Sequence, residues 1–438
     1  MLLMPQAAKL SAKVLPVKGK YTTRHDSLWQ MPAAANDIVG RTFMNSRTLL
    51  MLAAPSLLFI AYTQQKDWAT EKLERSLASE RKGNLSDPFR GITTNGTVEP
   101  NLFPIRSTGV STTPVRKAAI AFLASLNEDQ HKKTKFPIGD IEWRKWMNQD
   151  FYVRAGMGFE KMTESQREAA FAMMSAGLSA KGMQLSRDIM RLNETLGELA
   201  NNMPRYGEWA YWITIMGEPS ADKPWGWQMD GHHLIVNYFV LGDQVVMSPV
   251  FVGSEPVIAT SGKFKGLKIL QEEQALGLKM LQSLSGEQRK KAILDTNKTG
   301  NNNLTEAFKD NVVIDYAGLK GSDFTAPQKQ QYLQLISQFI GNMDAGHAKV
   351  KMEDVRKHLD NTYFAWIGGM ETESVYYYRI HSPVVLIEFD HQRPAGLAQF
   401  SKNPQLPDHD HIHVVVRTPN GNDYGKDLLR QHLLAHPH

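Results

Sequence analysis

The sequence predicts an α+β fold in which a mainly antiparallel sheet, formed by two blocks of strands, packs against several helices. Segments with strand character gather in two blocks, 209–252 and 374–417, and helical patterns lie before, between and after them. Helix starts are marked by capping signatures, in which a capping side chain stands three residues before Gln. Four such signatures begin at Asn127, Thr163, Ser285 and Thr325.

Three stretches show helical spacing of apolar residues. The longest, from Thr163 to Asn202, is rich in methionine and predicts two helices hinged between Gly177 and Gly182. Its methionines are interpreted as core filling and not as a cofactor site. Leu267–Leu294 and Pro327–Phe339 predict further helices.

Strands are predicted where β-branched and aromatic residues run between turn signals. The first block contains a buried strand and a hairpin that turns at Gly242-Asp243, and the second block contains three strands. The predicted strands are Trp209–Gly217, His232–Val240, Gln244–Val252, Ser374–Ile380, Val384–Phe389 and His411–Arg417.

The N-terminal region predicts export. Leu49–Tyr62 is apolar and follows Arg47, the layout of a signal peptide that starts at Met44, so residues 44–66 are expected to be a signal peptide or anchor. Residues 1–43 are expected to be a non-native, disordered upstream extension. The apolar run is too short for a comfortable membrane span, so stable membrane insertion is expected only if the segment stays uncleaved. A short buried helix broken by Pro55 is the alternative.

Residues 67–114 are rich in Asn, Thr, Ser and Pro and predict a linker, with a single large α+β domain over 115–438. The net charge of +5 is mild for 438 residues, and basic residues alternate with acidic ones. The basic residues therefore form no stripe that would bind nucleic acid, and no nucleic-acid partner is expected. The chain has no cysteine, which excludes thiolate metal ligands, cysteine nucleophiles and disulfides.

Two histidine motifs give the chain its chemical signal. Gly231-His232-His233 precedes one predicted strand, and His409-Asp410-His411-Ile412-His413 enters another. The spacing of two puts His411 and His413 on one face of an extended chain. A single histidine is more often an ordinary core or surface residue, but this paired spacing favours metal ligation.

A complete site follows if Val384–Phe389 lies beside His411–Arg417. Glu388 would then face His411 and His413, giving three ligands and open positions for water or substrate. His232 or His233 would complete or flank the site, and the other would donate to a carboxylate such as Asp230 or Glu255. We therefore expect the two histidine clusters to share a pocket.

Several assignments stay open. Asp390 could replace Glu388 as the inward acid, and Arg379 could clamp a substrate anion or pair with either acid. The predicted catalytic residues are Glu388, Arg379 and Glu255. An aromatic set could line a pocket or fill the core: Trp225, Trp227, Tyr363, Phe364 and Trp366.

The chain resembles the family known as domain of unknown function 3500. The resemblance runs from about Val115 to His432 and rests on the motifs Trp225-Gly226-Trp227, Pro249-Val250-Phe251-Val252-Gly253-Ser254-Glu255-Pro256, Tyr377-Tyr378-Arg379-Ile380, His411-Ile412-His413 and Asn422-Asp423-Tyr424-Gly425. It implies a secreted or exported protein without an assigned reaction. His381 stands before Ser382-Pro383 where the family tends to have a small residue, which makes His381 a weaker candidate.

These patterns predict an exported metal-dependent enzyme that acts on a small-molecule substrate. Hydrolysis is favoured, because a metal ion that lowers the pKa of its bound water needs only the ligands named above. Zinc is the favoured divalent ion, while iron, copper and manganese suit the same ligand types. A mononuclear iron or copper oxidoreductase and a noncatalytic ligand-binding protein are the alternatives. The sequence predicts no oligomeric state.

Overall fold

One large sheet organises the fold. The computed structural model describes residues 68–436, and these contain twelve strands. The strands are β1 (Lys135–Phe136), β2 (Met157–Gly158), β3 (Tyr211–Met216), β4 (Trp225–Gly231), β5 (Leu234–Leu241), β6 (Gln244–Ser254), β7 (Ile293–Asp295), β8 (Leu319–Lys320), β9 (Tyr363–Gly368), β10 (Tyr376–His381), β11 (Leu386–His391) and β12 (Ile412–Arg417).

The strand order is β1-β3-β4-β5-β6-β12-β11-β10-β9-β7, with β2 paired to β3 and β8 paired to β9. The first block, β3 to β6, and the second block, β9 to β12, are each antiparallel and meet where β6 pairs with β12. Parallel pairs join β1 to β3 and β7 to β9 at the two ends. The predicted α+β fold with two strand blocks is confirmed.

The predicted helix starts are confirmed. At each of the four capping signatures the first side chain accepts a bond from the backbone N–H of the Gln, and the Gln side chain accepts from the capping residue's N–H. The helices of the described residues are α1 (68–82), α2 (Thr113–Ser125), α3 (Glu128–Thr134), α4 (Glu164–Gly177), α5 (Ala180–Leu199), α6 (Gln271–Gln282), α7 (Gly286–Ala292), α8 (Ala326–Ile340), α9 (Ala345–Lys357) and α10 (Lys426–Ala435).

The helical face of the sheet carries the main core. Alternate residues of β12, Ile412, Val414 and Val416, point into this core. The methionines Met173 and Met190 of α4 and α5 are fully buried in it, as predicted. The aromatic set belongs largely to the core as well, since Trp225, Trp227, Phe364 and Trp366 are 0% exposed.

The opposite face combines a smaller core with ionisable groups. Val415 of β12 packs there with Phe251 of β6 and Tyr424. The residues on either side of Val415 in the same alternation are His413 and Arg417, both buried. The helix α10 packs on this face through Leu428 and Leu429, and the irregular residues 301–310 cover His413 and Arg417.

Residues 68–114 are part of the domain, so the structure does not support the predicted linker. They include α1, and Leu85, Ile92 and Phe103 are buried. These anchors are far apart in the sequence and produce no period that predicts burial. The predicted segments 1–43 and 44–66 lie outside the described residues. The described residues belong to one compact unit, and none of their helices has the length and apolarity to cross a membrane.

The histidine hairpin differs from the prediction in detail. Trp225–Gly231 is a strand that the sequence did not predict, and the next strand begins at Leu234 instead of His232. His232 and His233 therefore form the turn between β4 and β5. The sequence missed this because His233 adopts φ +62°, a conformation that a residue other than glycine rarely adopts.

Arg417 is predicted to be essential for stability. Its side chain is 0% exposed and lies between the carboxylates of Asp310 (2.7 Å) and Asp423 (3.1 Å). Arg417→Met would leave the buried Asp423 without its cation and Asp310 with Arg144 alone, and we expect the free energy of unfolding to fall by about 3–5 kcal/mol. Arg430→Met removes a surface ion pair and should change it by less than about 1 kcal/mol. Urea unfolding measures both, and equal effects would contradict the prediction.

A second prediction concerns pH. Burial, aided by the field of Asp230, raises the pKa of Glu142 to about 8. The folded chain therefore keeps this proton while the unfolded chain, with a pKa near 4.5, has lost it. The resulting stabilisation is complete below about pH 4.5 and is lost as pH rises through 8, with a slope of at most about 1.4 kcal/mol per pH unit.

Glu142→Gln should remove this dependence. Its free energy of unfolding should rise relative to the native chain between about pH 5 and pH 8. The exposed Glu128→Gln is the matched control and should keep a constant difference. Urea unfolding at four pH values tests this, and parallel curves for Glu142→Gln and the native chain would refute it.

Candidate metal centre

Three histidine side chains from the two strand blocks converge. The Nε2 atom of His413 lies 3.1 Å from that of His233 and 3.0 Å from that of His411, and His411 and His233 are 3.3 Å apart. All three side chains are buried. The predicted proximity of the two histidine motifs, which lie 180 residues apart, is confirmed.

Backbone pairing positions this triad. The N–H of Gly253 in β6 donates to the carbonyl of His233 (2.9 Å), and Gly253 is also the register partner of His413 in β12. A Cβ at Gly253 would lie 2.4 Å from the carbonyl oxygen of Ile412, so glycine permits this close approach. Gly253 thus pairs with both histidine motifs and places His233 and His413 beside each other.

Two of the imidazoles are oriented by their Nδ1 atoms. The Nδ1–H of His411 donates to the carbonyl of Arg393 (2.7 Å), and the Nδ1–H of His413 donates to the Glu306 carboxylate (2.6 Å). Because a carbonyl and a carboxylate accept these bonds, each Nε2 carries a lone pair in the neutral ring. A partner that fixes the tautomer in this way is typical of histidine metal ligands.

Electrostatics keep the triad neutral. Burial lowers the pKa of His411 to about 4 and that of His413 to about 3, and burial with the field of His232 lowers the pKa of His233 well below its usual value. Burial also raises the pKa of Glu306 to about 7. At neutral pH the rings are unprotonated, which is the form that binds a metal ion.

The geometry fits a metal ion. Two nitrogens that bind a tetrahedral zinc ion at about 2.0–2.1 Å lie about 3.3–3.4 Å apart, close to the separations in the triad. The lone pairs of His411 and His413 face each other at 3.0 Å and repel unless a cation or proton lies between them. His233, His411 and His413 can therefore hold a metal ion.

A cavity gives access to the triad. It has a volume of about 470 Å³ and is lined by all three histidines, His232, Glu255 and Glu306. A larger concavity of about 1200 Å³ lies between segments 80–104, 139–144 and 421–431, and no histidine lines it. Size alone would have pointed to the wrong cavity, whereas the histidine cluster identifies the smaller one.

His232 is not in the triad, although it was a predicted ligand. Its ring stacks on His233 with centroids 3.9 Å apart, and its Nδ1 bonds to Asn193 Oδ1 (2.7 Å). On a regular strand the two neighbours would point to opposite faces, but in the turn they lie side by side.

Glu388 is also outside the triad. Its oxygens accept bonds from the N–H groups of Leu304 and Thr305 (both 2.9 Å) and from the hydroxyl of Tyr377 (2.7 Å). Its side chain points to the same face of the sheet as that of His413, as predicted. Its register partner, however, is Val415, two residues further along β12. The carboxylate that the sequence assigned to the metal ion therefore binds the backbone of the covering loop 301–310.

The alternative acid has a similar role. Asp390 is the register partner of His413, yet it accepts bonds from the N–H groups of Asn302 and Asn303 and pairs with Lys298 (2.9 Å). Burial raises its pKa to about 7. Asp390 therefore holds the same loop at the two residues that directly precede those bound by Glu388.

Arg379 does not line the cavity. It pairs in register with Glu388, and its Nη2 lies 3.4 Å from the carbonyl of Asp315. His381, two residues further, is 1% exposed, packs against Tyr316 with tilted rings and does not line the cavity. The structure thus brings neither of these β10 residues to the histidines.

The two carboxylates suggested as histidine partners have other partners. Asp230 pairs with Arg154 (3.0 Å). Glu255 lines the cavity and lies 3.9 Å from Nδ1 of His411, but it accepts bonds from the backbone N–H groups of residues 395–397. Glu255 therefore holds the segment whose neighbour, Arg393, orients His411.

Glu306 is the site residue that the sequence did not reveal. It lies in the irregular loop 301–310, where no hydrophobic period or motif marks it. The only local signal is the polar run Asn301-Asn302-Asn303, which indicates a loop. Its role depends on the loop's packing against β12.

A comparison of the sequence with family models matches residues 108–426 to a family described as "Protein of unknown function (DUF3500)". No curated protein and no solved structure matches the chain. The match covers most of the chain, including every member of the histidine triad. The chain therefore belongs to the DUF3500 family.

Proposed function

We propose that this protein is an exported metal-dependent enzyme that hydrolyses a small-molecule substrate. His233, His411 and His413 hold the metal ion, and the cavity of about 470 Å³ admits the substrate. The single observation that carries the proposal is the triangle of Nε2 atoms at 3.0–3.3 Å, two of them aimed by bonds at Nδ1. Export rests on Arg47 and the apolar run Leu49–Tyr62.

Three protein ligands suit a catalytic site because they leave a coordination position free. A divalent ion there supplies a water molecule of lowered pKa and a Lewis acid for a polar substrate group. The chain's own contribution is orientation, because Arg393 and Glu306 fix two of the rings. The cavity size lies within the usual range for small-molecule sites.

Zinc is the favoured ion, because three neutral imidazoles without a thiolate form a common catalytic zinc site. The same ligands suit iron, copper or manganese. The identity of the metal therefore separates hydrolysis from the alternative, a mononuclear iron or copper oxidoreductase. A chain that binds no metal would favour a noncatalytic binding protein.

Metal analysis tests the ligand set. We expect about one zinc ion per chain and loss of tight binding in the double variant His411→Ala/His413→Ala, because one remaining imidazole cannot hold the ion. His409→Ala is the matched control, since it alters the same motif outside the triad and should keep the metal. Elemental analysis measures the content and circular dichroism checks the fold. Full occupancy in the folded double variant would contradict the site.

Catalysis is tested on the zinc-loaded chain with p-nitrophenyl acetate, bis(p-nitrophenyl) phosphate and the amide p-nitroacetanilide. Hydrolysis that chelation abolishes and zinc restores supports the proposal. Zinc binding without hydrolysis of any of the three substrates would count against it.

Glu306 should tune metal affinity. Glu306→Ala removes the acceptor at Nδ1 of His413 and should weaken metal binding about 10–100-fold. Glu306→Gln keeps an acceptor without the charge and should have an intermediate effect. Competition with a chelator of known affinity measures both. Unchanged affinity in Glu306→Ala would show that the bond does not support the metal ion.

A further inference from the structure

His232 has a fixed orientation that metal ligation does not explain. Asn193 Nδ2–H donates to the carbonyl of Gly207 (2.9 Å), which fixes how the Asn193 amide lies. Its Oδ1 must then be the acceptor in the 2.7 Å bond to His232 Nδ1. His232 therefore carries its proton on Nδ1 and a lone pair on Nε2.

The Nε2 of His232 has no hydrogen-bond partner among the described residues, while the residue is 9% exposed and lines the cavity. The ring cannot turn freely, because it stacks between His233 (3.9 Å) and Tyr206 (5.5 Å). The acceptor is open to the cavity, so a group that enters the cavity can donate a hydrogen bond to it.

We propose that Nε2 of His232 accepts a hydrogen bond from the ligand, and that the site selects ligands carrying an N–H or O–H beside the group that reaches the triad. Carboxamides, hydroxamates and hydroxylated compounds have such a donor, whereas esters and N-alkylated analogues lack it. The inference rests on the proposed function, since it takes the triad to hold a metal ion. His232 then sets specificity, because an analogue without the donor leaves the acceptor unpaired.

The test uses the full chain loaded with cobalt, whose visible spectrum reports ligand binding. Acetohydroxamate and N-methylacetohydroxamate present the same chelating oxygens and differ at the N–H. We expect the native chain to bind acetohydroxamate about 10-fold or more tightly than the methylated analogue.

Variants separate a hydrogen bond from a structural effect. His232→Phe keeps a ring for stacking but removes the acceptor, and its preference should fall to about 1-fold while cobalt stays bound. His232→Gln restores an acceptor and should recover part of the preference. His381→Phe makes the same exchange at a buried histidine outside the cavity and should keep the native ratio.

The outcomes are distinguishable. A native chain that binds no cobalt would overturn the proposed function and this inference with it. Cobalt binding with equal affinity for the two probes, or an unchanged ratio in His232→Phe, would overturn the inference alone. Loss of cobalt from His232→Phe would also overturn it, since His232 would then support the metal ion instead of the ligand.

Discussion

The pairing of β6 with β12 is the interaction on which both the sheet and the candidate site depend. It joins two antiparallel blocks, and it puts Gly253 opposite His413. Closing so long a stretch of chain is entropically unfavourable, although the cost grows only slowly with length. The burial of Val252 and Val414 on the helical face offsets it. Without this pair of strands each block would keep its own histidines, and no triad would exist.

Buried charged side chains on the opposite face hold the irregular loop 301–310 in place. Asp390 and Glu388 accept backbone N–H groups from residues 302–305, and Arg417 donates to the carbonyls of Thr305 and Glu306. A loop has few internal bonds, so its buried backbone groups need side-chain partners. The result is a loop fixed at several consecutive residues, which presses Glu306 against His413. Asp390 and Glu388 therefore act on the histidine triad only indirectly, through the loop that carries Glu306.

Local signals explain what the sequence predicted well. A capping box needs only side chains three residues apart, so the helix starts at Thr163 and Thr325 could be predicted. The spacing of His411 and His413 defines one face of any extended chain. Their encounter with His233 followed from chemistry, because clustered imidazoles favour a shared ion. Composition also excluded cysteine chemistry at once.

Features that depend on tertiary contacts could not be predicted. Glu388 lies on the predicted face of the sheet, but it pairs with Val415 instead of His413. Only the strand register shows this. The choice between His232 and His233 depends on a turn with positive φ at His233, which the strand pattern concealed. Glu306 depends on a loop without regular structure. Residues 68–114 resemble a linker because few of their side chains are buried, although those few complete the core.

Because the triad takes its histidines from both strand blocks, metal binding would have a thermodynamic consequence. A metal ion bound by His233, His411 and His413 would act as a cross-link between points 180 residues apart in a chain that has no cysteine. Since the unfolded chain presents no such site, the free energy of binding would add to that of folding. The ion would then take the place that disulfides have in many small proteins, and its free concentration would set part of the chain's free energy of unfolding.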